Sequence, residues 1–202
     1  MSWDKGFNFR LTSGYVTDPT NTTYVLNTDT SPTTRNGVTF VWADNGTGTL
    51  DSRDRSTGND PRLAGINFIS NTSSQVGIFQ VTLPASGQYD LYLAAGDQAQ
   101  GGPVDLEWGD NGSYTTIANA HDTVSANSFV DASNAVRTHA QWVADSARGG
   151  TARRITMTST TFQIRIAGLS AVAGLTPLAH VFLSQVAPAG GFLNRNLWWG
   201  NY

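Results

Sequence analysis

The chain of 202 residues has no cysteine, one lysine (Lys5), one glutamate (Glu107) and two methionines. Without thiols there can be no disulfide, no thiolate nucleophile and no Cys-built zinc site. The near-absence of Lys and Glu removes two of the better helix-forming residues and leaves Asp, which favours caps and turns. Charged residues are only 13% of the chain and the formal net charge is −3. Phosphate binding leaves a basic footprint that is missing here, so no nucleic-acid partner is expected. No apolar run approaches the length needed to cross a bilayer, so no membrane partner is expected either. The opening Met1-Ser2-Trp3-Asp4-Lys5-Gly6 lacks the apolar stretch of a signal peptide. Synthesis and retention in the cytoplasm, or exit without a cleaved signal, follow as the expectation.

What remains is a neutral polar chain of Thr, Ser, Asn, Gln and Gly carrying apolar residues at period two. Such alternation between turn residues marks half-buried strands. Val38, Phe40 and Trp42 share one face; Tyr89, Leu91 and Leu93 another; Val104, Leu106 and Trp108 a third. Val76 to Leu83 is almost continuously apolar and reads as a strand covered on both sides. Asp110-Asn111-Gly112 closes a hairpin onto Tyr114, and Ile155/Met157, Phe162/Ile164/Ile166 and Ala179/Val181/Leu183 give three late strands. Around ten strands with few helices predict an all-β, antiparallel two-sheet β-sandwich. Its expected core comprises Phe40, Trp42, Phe68, Ile78, Val81, Leu91, Leu93, Leu106, Trp108, Ile155, Phe162, Ile164, Ile166, Val181 and Leu183. Ser133 to Ala147 reads equally well as a helix or as strand and loop. The sandwich is expected to span residues 1–187, followed after a Pro-Ala-Gly-Gly breaker by an aromatic tail over 188–202.

Catalytic chemistry is hard to assemble from these residues. There is no Gly-x-Ser-x-Gly turn, and His121, His139 and His180 are scattered, the last beside Val181 in a strand where packing is expected. Asp105 and Glu107 lie on one face of one strand and cannot flank a glycosidic bond from two sides. No catalytic residue, cofactor or metal is therefore expected. The weak candidates for calcium are Asp97, Asp105 and Asp110, should they meet at one end of the sandwich. Arg53, Asp54, Arg55 and Arg62 belong to the densest charged stretch. Its interleaved signs predict ion pairs that tie down a loop, with a protein contact as the functional alternative. Trp42 and Trp108 are in phase with core residues; they and Trp142 are the tryptophans that could otherwise stack on a sugar. In the tail, Phe192, Leu193, Arg195, Leu197, Trp198, Trp199 and Tyr202 are the expected partner-binding residues, because exposed neighbouring aromatics mark interaction sites.

Two resemblances add to this reading. Phe79 to Asp97, with its Leu83-Pro84 strand end, Ser86-Gly87 turn and following Tyr89-Asp90-Leu91 strand, resembles the galactose-binding-like jelly rolls, which include malectin-like and carbohydrate-binding modules. The stretches 6–10, 12–18, 34–40, 53–55, 60–65 and 179–182 look similar to bacteriophage structural proteins. The resemblance implies a non-enzymatic virion protein made in the host cytoplasm, either decorating or cementing a capsid or sitting on a tail. Its implied partners are other virion proteins and copies of itself, a trimer suiting threefold positions. The alternative is a carbohydrate-binding adhesin module taking host glycans, and the second alternative a glycan-active hydrolase.

Overall fold

A computed structural model describes residues 3–11, 21–44, 49–55, 60–70, 76–169 and 174–187. In chain order its strands are β1 (Asp4–Arg10), β2 (Thr22–Leu26), β3 (Thr33–Arg35), β4 (Val38–Asp44), β5 (Thr49–Asp54), β6 (Gly65–Ser70), β7 (Val76–Thr82) and β8 (Gly87–Asp97). There follow β9 (Gly102–Asp110), β10 (Ser113–Val124), β11 (Ser128–Val130), β12 (Val136–Thr138), β13 (Arg153–Met157), β14 (Thr161–Leu169), β15 (Gly174–Leu175) and β16 (Leu178–Gln185). A short 3-10 turn covers Pro61–Leu63, and the single described helix, α1, covers His139–Asp145. The strands beyond the expected ten are mostly pieces of two or three residues, too short for alternation to announce them.

The strands form two sheets. One has nine strands along the path β12-β11-β8-β16-β1-β2, with β13 joined to β8 and the β5/β6 pair joined to β16. The other has seven along β10-β9-β14-β7-β4-β3, with β15 on β14. Pairing among described strands is antiparallel except for β1 with β2, so the expected two-sheet sandwich is the fold. Register places Trp42, Phe79, Ile164 and Trp108 in one row across four strands. From the facing sheet, Phe7 and Phe9 meet that layer edge-on: Phe9 lies 4.9 Å from Phe79 and 5.5 Å from Trp42 between ring centroids. Edge-to-face packing of this kind adds to the stabilisation from area burial.

Two expected core residues, Phe68 and Ile78, sit elsewhere, and a third, Trp108, packs on the main core while remaining partly exposed. Phe68 belongs to a second apolar cluster with Leu63, Ile66, Ala94, Phe129, Trp142 and Ala179. Leu93 faces the main core and Ala94 the second cluster, so this cluster lies on the side of the nine-stranded sheet away from the sandwich interior. Ile78 is buried, but on the outer face of β7, in the row of Ala43, Arg165 and Glu107. Trp108 is only partly buried against the main core.

The ambiguous window from Ser133 resolves into β12 followed by a seven-residue helix. Thr138, not Ser133, caps it: its hydroxyl accepts from Gln141 N while Gln141 Oε1 accepts from Thr138 N. The helix buries Trp142 completely, and the indole Nε1 donates to Leu93 O at 2.9 Å. Gly149 and Gly150, both at positive φ, run against the ring so closely that a Cβ at Gly149 would collide with it. Trp142 is thus a packing residue and no sugar platform.

Candidate ligand pocket

Where β8 hands over to β9, a small cleft is lined by residues of both sheets. Six segments line it. β5 contributes Arg53; β6 contributes Ile66 and Phe68; the end of β8 contributes Gly96 and Asp97. Gln100, Gly101 and Gly102 form the connecting loop, and Val124 and Pro177 close the far wall. Ile66, Phe68 and Val124 are each at most 3% exposed, so they form an apolar floor rather than a surface. An apolar lining with a few polar groups at fixed places is the usual make-up of a small-ligand site.

The polar groups are positioned from below. Arg55 grips Asp97 with both ends of its guanidinium, Nε donating to Oδ1 at 2.7 Å and Nη2 to Oδ2. Asp97 Oδ1 also accepts from the Ala99 amide at 2.9 Å, which turns the chain into the loop bearing Gln100. A forked pair of this geometry fixes orientation as well as charge. Arg53 differs. Its guanidinium lies 4.9 Å over the Phe68 ring, and Nη1 donates to Gln100 Oε1 at 3.0 Å. Among the described residues no carboxylate pairs with it, although eight other arginines have one. Among the described residues Arg53 is thus the pocket cation without an ion-pair partner.

The rest of the charged stretch forms ion pairs and hydrogen bonds. Asp54 pairs with Arg10 at 3.2 Å. Arg62 bonds Asp60 through Nε at 2.7 Å and Nη2 at 2.5 Å, and sends Nη1 to Ala147 O at 2.7 Å. Burial pushes the Asp60 carboxyl up, but the hydrogen bonds from Arg62 outweigh it and hold the group below its ordinary value.

The three aspartates weighed as calcium ligands are separated, which corrects that expectation. Asp97 is at the pocket; Asp105 lies half-buried on β9, where burial and the neighbouring Glu107 raise its carboxyl above the usual range. Asp110 closes the opposite end of β9, its carboxylate accepting from the amides and hydroxyls of Thr158 and Ser159. Partial burial of Asp110 works upward, and these hydrogen bonds win and lower it. Among the described residues no three His, Asp or Glu side chains come together as a metal site. Phe192, Leu193, Arg195, Leu197, Trp198, Trp199 and Tyr202 lie outside the described residues. The pocket residues that the sequence did not announce are Gln100 and Gly102; the Gly101-Gly102-Pro103 run between two strands was the available signal.

No family model matches this chain, and no curated protein matches it. Among solved structures it is similar to a GH26-CBM35 β-(1,4)-mannanase of Podospora anserina, at 14% identity and a TM-score of 0.39 over 78% of this chain and 29% of that one. An isomalto-dextranase of Arthrobacter globiformis complexed with panose overlaps at 15% identity and a TM-score of 0.37, over 73% of this chain and 23% of the enzyme. A CBM35 from Paenibacillus barcinonensis overlaps at 11% and 0.37, over 71% of this chain and 96% of the module. The chain thus spans less than a third of the two enzymes it overlaps, and the likeness to all three goes no further than a shared β-sandwich.

Proposed function

We propose that this chain is a non-catalytic carbohydrate-binding sandwich whose pocket takes a saccharide bearing an anionic group. The carrying observation is Arg53, a guanidinium without a carboxylate partner, held over an apolar floor beside the Gln100 amide. A pyranose has one face of C–H groups and a rim of hydroxyls, which suits apolar floor and polar rim respectively. A carboxylate or sulfate on the sugar would take the fork that Arg53 now leaves without an anion. The pocket's own carboxylate, Asp97, is already occupied by Arg55 and the Ala99 amide, which favours holding a ligand over acid–base work on it.

The test is calorimetric titration with acidic and neutral oligosaccharides, chosen from a glycan array. Arg53→Met should weaken binding of the acidic ligand roughly 10- to 100-fold, the worth of a hydrogen bond to a charged group. A Cβ at Gly102 would meet nothing within 4 Å, so Gly102→Phe should fill the pocket and abolish binding without unfolding the protein. An array without acidic hits, or binding that survives both substitutions, would sink the reading.

The virion role implied by the second sequence resemblance is a separate proposal. Its support lies in the aromatic residues of the 192–202 segment. Among the described residues only Leu11 and Val136 are large hydrophobics left exposed, so assembly through an apolar patch would fall to that segment.

A further inference from the structure

The chain closes two hairpins with the same dipeptide, Asn36-Gly37 between β3 and β4 and Asn111-Gly112 between β9 and β10. In both, Asn and Gly take positive φ: 50° and 69° in the first, 48° and 91° in the second. Two left-handed residues in succession are what the tightest hairpin turns require. All four residues are exposed, and a Cβ at either glycine would meet nothing within 4 Å. By local sequence and local backbone the two turns are equivalent. Their surroundings are not. The Gly112 amide is committed to Gln163 Oε1 at 2.8 Å, and the Asn111 amide to Thr161 O at 2.9 Å. At the other turn the ammonium of Lys5, the chain's one lysine, donates to the backbone oxygen of Asn36 at 2.6 Å.

We propose that Asn36 is a self-modification site, converting to aspartate and isoaspartate with Lys5 as the group that promotes the step. The Gly37 backbone nitrogen attacks Asn36 Cγ, and the new C–N bond closes a succinimide. The Cγ–Nδ2 bond breaks, and the side-chain nitrogen takes up the proton lost by the Gly37 amide and departs as ammonia. Water then opens the ring at either carbonyl, giving aspartate or isoaspartate at the same position. For the attack the Gly37 nitrogen must lose its proton, and the resulting negative charge is shared with the oxygen of the same peptide unit, that of Asn36. That oxygen is the one Lys5 holds, so the ammonium stabilises the charge where it develops. At the second turn the corresponding nitrogen must first give up its bond to Gln163. The product would alter this edge of the sandwich. An isoaspartyl link adds a backbone atom to a two-residue turn, and the Arg35–Val38 closing pair cannot keep its register. Neither residue touches the pocket proposed for ligand binding, so this inference stands or falls independently of that reading.

The experiment is incubation of the purified protein in mildly alkaline buffer, with peptide mass spectrometry and an isoaspartyl methyltransferase assay as readouts. In the folded protein Asn36 should convert about 3- to 10-fold faster than Asn111, the factor expected from one hydrogen bond lost at one turn and gained at the other. In urea the preference for Asn36 should shrink, leaving only what the flanking Arg35 and Asp110 impose on otherwise identical dipeptides. Lys5→Met should slow Asn36 in the folded protein and leave Asn111 unchanged, while Lys5→Arg should keep most of the rate. The inference is overturned by Asn111 converting as fast as Asn36 in the folded protein, by selectivity that persists undiminished in urea, or by a Lys5→Met rate equal to that of the unsubstituted chain.

Discussion

His180 is wholly buried, with Nδ1 2.8 Å from Asn8 Oδ1 and its ring between Trp142 and Phe182. Burial first, and then the nearby Arg62 guanidinium, push its value from 6.5 down to about 3. Between those two values the unfolded chain binds a proton that the folded chain refuses. Stability is therefore undiminished above about pH 6.5 and falls as the pH drops toward 3, by on the order of 4–5 kcal/mol across the whole span. Asp60 and Asp110 act lower down: held below their ordinary 3.8, they lose their contribution only as the pH falls through their still lower folded values. His180 thus governs the first part of any acid unfolding. Urea titrations at a series of pH values should show the midpoint falling from neutrality to pH 4 in the native sequence and staying nearly level there in His180→Gln. A native profile flat over that range would refute the assignment. In the sequence this residue reads as packing beside Val181, which is right as far as it goes; its complete burial depends on the helix and turn that close over it.

Strand β14 shows at the level of elements how period two divides a sheet. Phe162, Ile164 and Ile166 are fully buried in the sandwich, while the intervening Gln163 bonds Gln80 Nε2-to-Oε1 at 3.0 Å on the outer face. Ile164→Ala opens a cavity between two sheets and should cost roughly 2–5 kcal/mol, against well under 1 kcal/mol for Thr161→Ala at the partly exposed start of the strand. Equal losses from the two, measured by denaturant unfolding, would mean the strand's faces are misassigned. Alternation made β4, β8, β9 and β14 legible because one face of each carries an unbroken apolar set. It found β16 through Val181 and Leu183 but did not show where burial is two-sided: β16 also covers His180 and Ser184, and β6 gives Phe68 to the second cluster. It failed at α1, where seven residues are too few for a helical period to outvote alternation. The pocket was legible only through the charge of Arg53. Its other polar partner, Gln100, is neutral and lies some 47 residues away in the chain, so nothing local marks the pair. Asp110 could not have joined Asp97 there, since the nine residues of β9 carry it roughly 25 Å from the pocket at Gly102.

At the scale of the whole molecule, the described body leaves only Leu11 and Val136 exposed among its large hydrophobics, while the sequence from 192 to 202 is rich in aromatic residues. Phe192, Trp198, Trp199 and Tyr202 would each bury about 150–250 Å² in a suitable pocket. Deleting residues after Gly190 is expected to leave the sandwich folded, with near-native dichroism and melting, and to weaken self-association or particle binding measured by sedimentation. Unfolding of the truncated chain would assign the segment to the core, and unchanged assembly would show that it is not the anchor. A different consequence follows from β1, which lies between β2 and β16 in the nine-stranded sheet with Asp4 opposite Ser184. On a ribosome adding about 5–20 residues per second, the partner of β1 is finished roughly ten to thirty seconds after β1 itself. Throughout that interval Phe7 and Phe9 belong to a nascent chain whose central sheet cannot close. A strand made early thus waits for one made late before its second edge is covered.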